Sequence, residues 1–157
     1  MKLYAGIGAR STPTHIQDIM RLVATKLESL SWVLRSGHAS GADSAFESGI
    51  INQNNKEIFV ANDATTSAIE LASQFHPAWN RCNPYTKMLH GRNSMILLGR
   101  NLNHPVKFVI CYTEDGKDSG GTGLGIRIAT HYNIPVFNLH DEASLQRIGY
   151  FLNIDML

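Results

Sequence analysis

The sequence predicts an α/β domain, a Rossmann-like three-layer sandwich with about five parallel strands in the order 3-2-1-4-5 and helices on both faces. Three observations carry this. Short apolar runs alternate with amphipathic stretches along the chain, the pattern of repeated strand–helix–strand units. The strand runs are almost continuously hydrophobic, as strands covered on both faces require. Three of the strands are followed by glycine-rich turns that open helices. In this order the switch point falls between the first and fourth strands, and ligands of such sheets bind beyond the C-terminal strand ends there.

Residues 2–7 form the first strand, and Gly6-Ile7-Gly8-Ala9-Arg10 makes a tight turn. Ser11 or Thr12 is placed to cap the next helix, with Pro13 near its first position. Ile16, Ile19, Met20, Val23, Leu27 and Leu30 give that helix an apolar stripe at helical spacing. Residues 32–35 form the second strand. Ser36-Gly37-His38-Ala39-Ser40-Gly41 then leads into a helix expected to reach about residue 52, burying Ala42, Ala45, Phe46, Gly49 and Ile50. The third strand is 57–61. Residues 64–75 read as helix, and Pro77 stops any helix there. A long helix is expected over 85–98, with Tyr85, Met88, Leu89 and Ile96 buried and His90, Arg92 and Asn93 midway. The fourth strand, 106–112, is followed by a polar loop, 113–119. Gly120-Gly121-Thr122-Gly123 opens a helix with Ile126, Ile128 and Ala129 inward. Residues 135–139 form the fifth strand, and a short helix starts near Asp141 or Glu142.

At 157 residues the chain is expected to be one domain, 1–157, without linker, repeat or low-complexity segment. A hydrophobic content of 43% with 17% charged residues suits a globular chain. A net charge of +1 makes no general electrostatic case for nucleic acid. Cys82 and Cys111 are expected as free thiols of a reducing compartment. The N-terminus reaches Gly6 too early for a signal peptide, and no apolar run approaches the roughly 20 residues that span a bilayer. A cytoplasmic protein with no membrane partner is expected.

The three turns converge in this topology. Their glycines admit close backbone approach, and the helix starts behind them favour anions. A phosphate-bearing ligand is expected, contacted by Gly8, Ala9, Arg10, Ser36, Gly37, His38, Gly41, Asp43, Arg92, Asn93, Ser119, Gly120, Gly121, Thr122 and Gly123. Arg10 suits a bidentate phosphate contact. Asp43 and Glu47, four apart on one helix face, suit ribose hydroxyls or acid–base work on a glycosidic bond. His38 is a candidate acid or base. Ser119 and Thr122 can donate to phosphate, or Thr122 can serve only as a cap. Asp43, Glu47 and Arg92 are the catalytic candidates if there is chemistry at all. Ser11 stands where the third glycine of G-x-G-x-x-G would be, and no acidic residue ends the second strand, so a dinucleotide dehydrogenase is not expected. No Gly-Lys-Ser/Thr follows Gly37, which excludes a Walker A loop. His76, Cys82 and His90 have no recognised zinc spacing, so neither metal nor cofactor is expected.

At these residues a family resemblance appears. Ser36-Gly37-x-Ala39-x-Gly41-Ala42-Asp43, Gly91-Arg92-Asn93-Ser94-Met95-Ile96 and Gly120-Gly121-Thr122-Gly123 resemble the ordered motifs of the SLOG superfamily. That superfamily includes the DprA/Smf, YpsA-like and Lonely Guy proteins. The resemblance covers about residues 1–140. With His76-Pro77-x-Trp79 and Leu89-His90-Gly91-Arg92-Asn93, the chain looks like small stand-alone DprA-like members carried by bacteriophages. The resemblance implies a Rossmann-like fold, a nucleotide-derived ligand and a homodimer. Lonely Guy enzymes hydrolyse nucleoside monophosphates with an arginine, matched here by Arg92, and a glutamate in P-G-G-x-G-T-x-x-E. That glutamate falls here on Ile126 or Arg127, and the proline on Ser119. Binding or sequestration of a phosphorylated ribose compound is therefore expected ahead of hydrolysis. Single-stranded DNA binding comes third, since a basic track with stacking aromatics is missing. Apolar residues Tyr85, Met88, Tyr150, Phe151 and Leu152 point to a dimer surface.

Overall fold

The computed structural model describes residues 1–156. Five strands form one all-parallel sheet: β1 (Leu3–Gly6), β2 (Val33–Ser36), β3 (Lys56–Ile58), β4 (Phe108–Cys111) and β5 (Val136–Asn138). Their order is β3-β2-β1-β4-β5, as the sequence predicts. β1 is central, with Tyr4 opposite Leu34 on one side and Phe108 on the other. Six helices connect and cover the sheet: α1 (Thr14–Ser29), α2 (Ala42–Ser48), α3 (Thr66–Ser73), α4 (Pro84–Leu98), α5 (Gly120–His131) and α6 (Glu142–Leu152).

Side-chain alternation along the strands sorts the core into two layers. Tyr4, Leu34 and Ile110 face α1, α2 and α6, packing against Met20, Leu27, Phe46 and Ile148. Leu3, Ala5, Val109 and Cys111 face α3, α4 and α5, packing against Ala68, Met95, Leu124 and Ile128. Both faces of β1 are consequently sealed.

The departures from the sequence reading are local and have identifiable causes. Neither Ser11 nor Thr12 caps α1. Thr12 Oγ1 donates to Ala9 O at 2.5 Å, Ser11 Oγ donates to Glu114, and Pro13 holds the cap position. Leu30 ends up exposed past the helix. α2 stops at Ser48 instead of reaching residue 52. Glu28 accepts from the N–H groups of Ile51 and Asn52 at 3.0 and 2.9 Å, and Asn52 caps a short 3-10 turn, Gln53–Asn55. Tyr85 is 55% exposed, and the enclosed part of α4 is instead its C-terminal half, from His90 onward. Tyr85 on α4 and the exposed Tyr150 and Phe151 on α6 lie over opposite faces of the sheet, while Leu152 is buried in the core. The residues expected on one apolar surface are thus divided between the two faces. Cys82 and Cys111 are both free thiols. Among the described residues no helix is long and apolar enough to cross a membrane.

At the end of β1, a Cβ on Gly6 would sit 2.6 Å from the ring of Phe46. Gly6→Ala is therefore expected to destabilise by about 1–3 kcal/mol through overpacking. Adding Phe46→Leu should recover part of that loss, read from urea unfolding midpoints of the single and double variants.

Candidate ligand site at the C-terminal strand ends

The β1–α1 turn is sealed against its neighbours before any ligand is considered. Ala9 N donates to Tyr112 O at 3.0 Å and Ala42 N donates to Ala9 O at 3.3 Å. A Cβ on Gly8 would lie 2.6 Å from that of Ala42. The turn is thus wedged between the end of β4 and the start of α2. Ala9 and Arg10 remain on the rim. The guanidinium of Arg10 is exposed and makes no hydrogen bond or salt bridge to a described residue.

The β2–α2 turn is built on two left-handed residues, His38 (φ 62°) and Gly41 (φ 82°). Gly41 packs on the backbone of Ala9 and Arg10, where a Cβ would meet Ala9 O at 2.7 Å, so glycine is needed there twice over. Ser36 Oγ donates to Gly6 O at 2.6 Å and ties the ends of β1 and β2. Asp43, on the first turn of α2, points inward and is almost fully buried.

α4 supplies the third wall. Arg92 is buried, with Nη1 donating to Gly37 O and to Phe59 O (3.4 Å) and Nε donating to Asn93 Oδ1 at 2.8 Å. Asn93 Nδ2 reaches Gly121 O at 3.5 Å. The fourth wall is the start of α5. Gly120 has φ +66°, and Cβ atoms built on Gly120 or Gly121 would meet nothing within 4 Å. This helix start faces open space, with first-turn N–H groups that lack intrahelical partners.

These walls enclose a cavity of about 650 Å³, within the usual range for small-molecule sites. Of the sequence-derived candidates, Gly8, Ala9, Arg10, Asp43, Arg92, Asn93, Ser119, Gly120, Gly121 and Thr122 line it. Ser36, Gly37, His38, Gly41 and Gly123 do not. Ser36, Gly37 and Gly41 are engaged in packing the turn. A Cβ on Gly123 would collide with Asp118 O. Glu47 also lies outside the lining, because its carboxylate is taken by His38 Nδ1 at 2.7 Å and Lys56 Nζ at 2.9 Å. These partners hold Glu47 below the usual carboxylate range despite partial burial. The expected pairing of Asp43 with Glu47 on one site is therefore corrected: they divide between cavity and surface.

Sequence reasoning missed Ile7, Ala39, His76, Thr86, Leu89, His90, Thr113 and Glu114, which complete the lining. The signal for some of them was present: Thr86, Leu89, His90 and Asn93 stand at the i, i+3, i+4, i+7 spacing of one helix face. The spacing argument that kept His76, Cys82 and His90 apart also fails, since their ligating atoms lie within 4.8 Å of one another. Burial, with the nearby charges of His76, Arg127 and Arg92, pushes His90 down to about 4.

Comparison with protein families, curated proteins and solved structures finds no match to the chain.

Burial pushes the Asp43 carboxyl up to about 6, against the pull of Arg92 and of the Ala39, Gly37 and Gly8 N–H groups. A carboxyl raised on folding favours the folded state at low pH, and that contribution is lost as pH rises through about 6. The wild type should therefore lose on the order of 2 kcal/mol relative to Asp43→Asn between pH 4 and pH 7, measured as the difference in urea unfolding free energies. Carbon-detected NMR should find Asp43 titrating near 6, and higher still in Arg92→Gln.

Proposed function

We propose that the chain binds a phosphorylated ribose nucleotide, or a signal derived from one, in this cavity and holds it intact. The observation that carries the reading is the open start of α5 at Gly120 and Gly121, sharing one cavity with the uncommitted guanidinium of Arg10. Oriented N–H groups and a free guanidinium suit a phosphate. Asp43 and Asn93 offer polar atoms for a ribose and base beyond it. Resemblance to the SLOG superfamily points the same way, through the three motifs that end at these walls. A compact cavity, with a net charge of +1, is a poorer basis for a DNA track.

A hydrolytic reading has one observation in its favour. Asp43, raised to about 6 and inside the cavity, has the character of a group able to carry a proton at near-neutral pH. Against it stand Ile126 and Arg127 at the glutamate position of Lonely Guy enzymes. Arg127 is turned away, donating to Phe75 O at 2.7 Å and to Asp118.

Gly121→Asp separates binding from folding. An acidic residue in the first turn of α5 favours the helix but repels a phosphate. This variant should keep or raise the unliganded melting temperature while losing the shift that nucleoside mono- and diphosphates give the wild type. Arg10→Gln should weaken the same ligand about tenfold or more. Absence of any nucleotide-dependent shift in the wild type at millimolar ligand would overturn the proposal. Free base released from a nucleoside monophosphate, seen by chromatography, would replace holding with cleavage.

A further inference from the structure

At one end of the cavity lies a cluster that phosphate and ribose recognition leave unused. We propose that His76, Cys82 and His90 form a binding site for a soft divalent metal ion, zinc above all, with an open coordination position toward the cavity.

The cluster is put together by local constraints. Pro77 ends the chain's run after α3, and a 3-10 turn, Trp79–Arg81, folds the backbone back so that Cys82 N donates to Trp79 O at 3.0 Å. Cys82 Sγ thereby returns to within 3.6 Å of His76 Nε2. α4 brings His90 against the same spot, with ring centroids 4.9 Å from His76 and 6.0 Å from Trp79. One ligand thus comes from each end of a turn and the third from a helix, which is why no familiar sequence spacing announces the site.

The distances suit the chemistry. Zinc bonds of about 2.3 Å to sulfur and about 2.0–2.1 Å to nitrogen set a tetrahedral S···N edge of about 3.6 Å, which is the separation of Sγ and Nε2. His90 adds an independent sign. It is 93% buried, since its relative exposure is 7%, and its Nδ1 has no hydrogen-bond partner. An unpartnered buried ring nitrogen is costly, and a metal ion in this cluster gives His90 a bonding role. One thiolate with two imidazoles selects zinc over magnesium or calcium, which take oxygen ligands. Three protein ligands leave a tetrahedral ion one place for water or a ligand oxygen. His76 and His90 both line the cavity, whereas Cys82 does not, so that place lies on the cavity side.

Without metal, His76 Nδ1 accepts from Ala78 N at 2.9 Å, which puts the proton of the neutral ring on Nε2, facing Sγ. Metal binding moves this proton to Nδ1 as the Ala78 contact opens. The Cys82 thiol gives its proton to water as its sulfur bonds the ion. The hydrogen bonds of His76 to Ala78 N and Cys82 Sγ, and of the thiol to Ala78 O, are exchanged for three metal–ligand bonds.

The test uses the full chain, stripped with chelator and titrated with zinc or cobalt(II) alone, so its result does not depend on the nucleotide reading. Cobalt should give tetrahedral visible bands and a thiolate-to-cobalt charge-transfer band in the near ultraviolet. Zinc should bind at about one ion per chain in competition with a chromophoric chelator. Cys82→Ser should abolish the charge-transfer band, and both Cys82→Ser and His76→Gln should weaken zinc about tenfold or more. These two positions are only partly buried, and far-ultraviolet circular dichroism verifies that each variant is folded. Saturating zinc should also protect Cys82 from alkylation. Unaltered zinc affinity in both variants, a cobalt spectrum without the thiolate band, or alkylation indifferent to zinc would overturn the site and leave only a proton-bridged Cys–His pair.

Discussion

The rim of this sheet depends on one contact, the buried guanidinium of Arg92 against the backbone of Gly37. Arg92 belongs to the layer of α3, α4 and α5, whereas Gly37 leads into α2 in the opposite layer. Nη1 crosses between them to Gly37 O and Phe59 O. A Cβ on Gly37 would collide with that guanidinium and would lie 2.8 Å from Asp43 Oδ2. The missing side chain is therefore what lets a buried cation and a buried carboxyl share one corner. Each tempers the cost of burying the other. Burial nevertheless dominates at Asp43, since its pKa is still raised. The corner fixes the loop, and the loop fixes the cavity wall.

The glycines then divide into two kinds. At Gly6, Gly8, Gly37, Gly41 and Gly123 the space a Cβ would occupy is already filled by protein. At Gly120 and Gly121 it is empty. Only the second kind leaves open space beside the backbone, and this pair stands at the start of a helix of 12 residues. The convergence of three glycine-rich turns is thus real, but its meaning is uneven: two turns build the wall and one presents it.

This division explains what the sequence could reveal. Alternating strands and helices determine the order of the sheet, because crossover handedness and burial on both faces leave few other arrangements. Arg10, Asp43, Arg92, Asn93 and residues 119–122 were legible as residues at the strand-end cavity because they flank turns whose place follows from that order. Glu47 was not legible as lying outside the cavity, because nothing local shows that Lys56, nine residues on, claims its carboxylate. Tyr85 misled for a related reason. The C-terminal half of α4 is enclosed nearly all round while its N-terminal half is open, so no single stripe describes the helix. Thr12 shows the limit of capping rules, since Pro13 holds the cap position and the Thr12 hydroxyl turns back to donate to Ala9 O.

The polar lining is graded along the cavity. Arg10 and the start of α5 form an electropositive side, with the Glu114 carboxylate beside Ser11 preventing a uniformly positive mouth. Asp43 and Arg92 occupy the closed interior corner. His76 and His90 form a nitrogen-rich end, where burial opposes charge on His90. A purely apolar pocket would reward any hydrophobic molecule of the right volume, and a uniformly basic one any polyanion. Here an exposed guanidinium, a buried carboxyl and imidazole nitrogens succeed one another around about 650 Å³. Leaving the buried Asp43 or His90 unpaired carries a cost, so the grading is a property of the rim itself and of the Arg92–Gly37 contact that holds its walls in register.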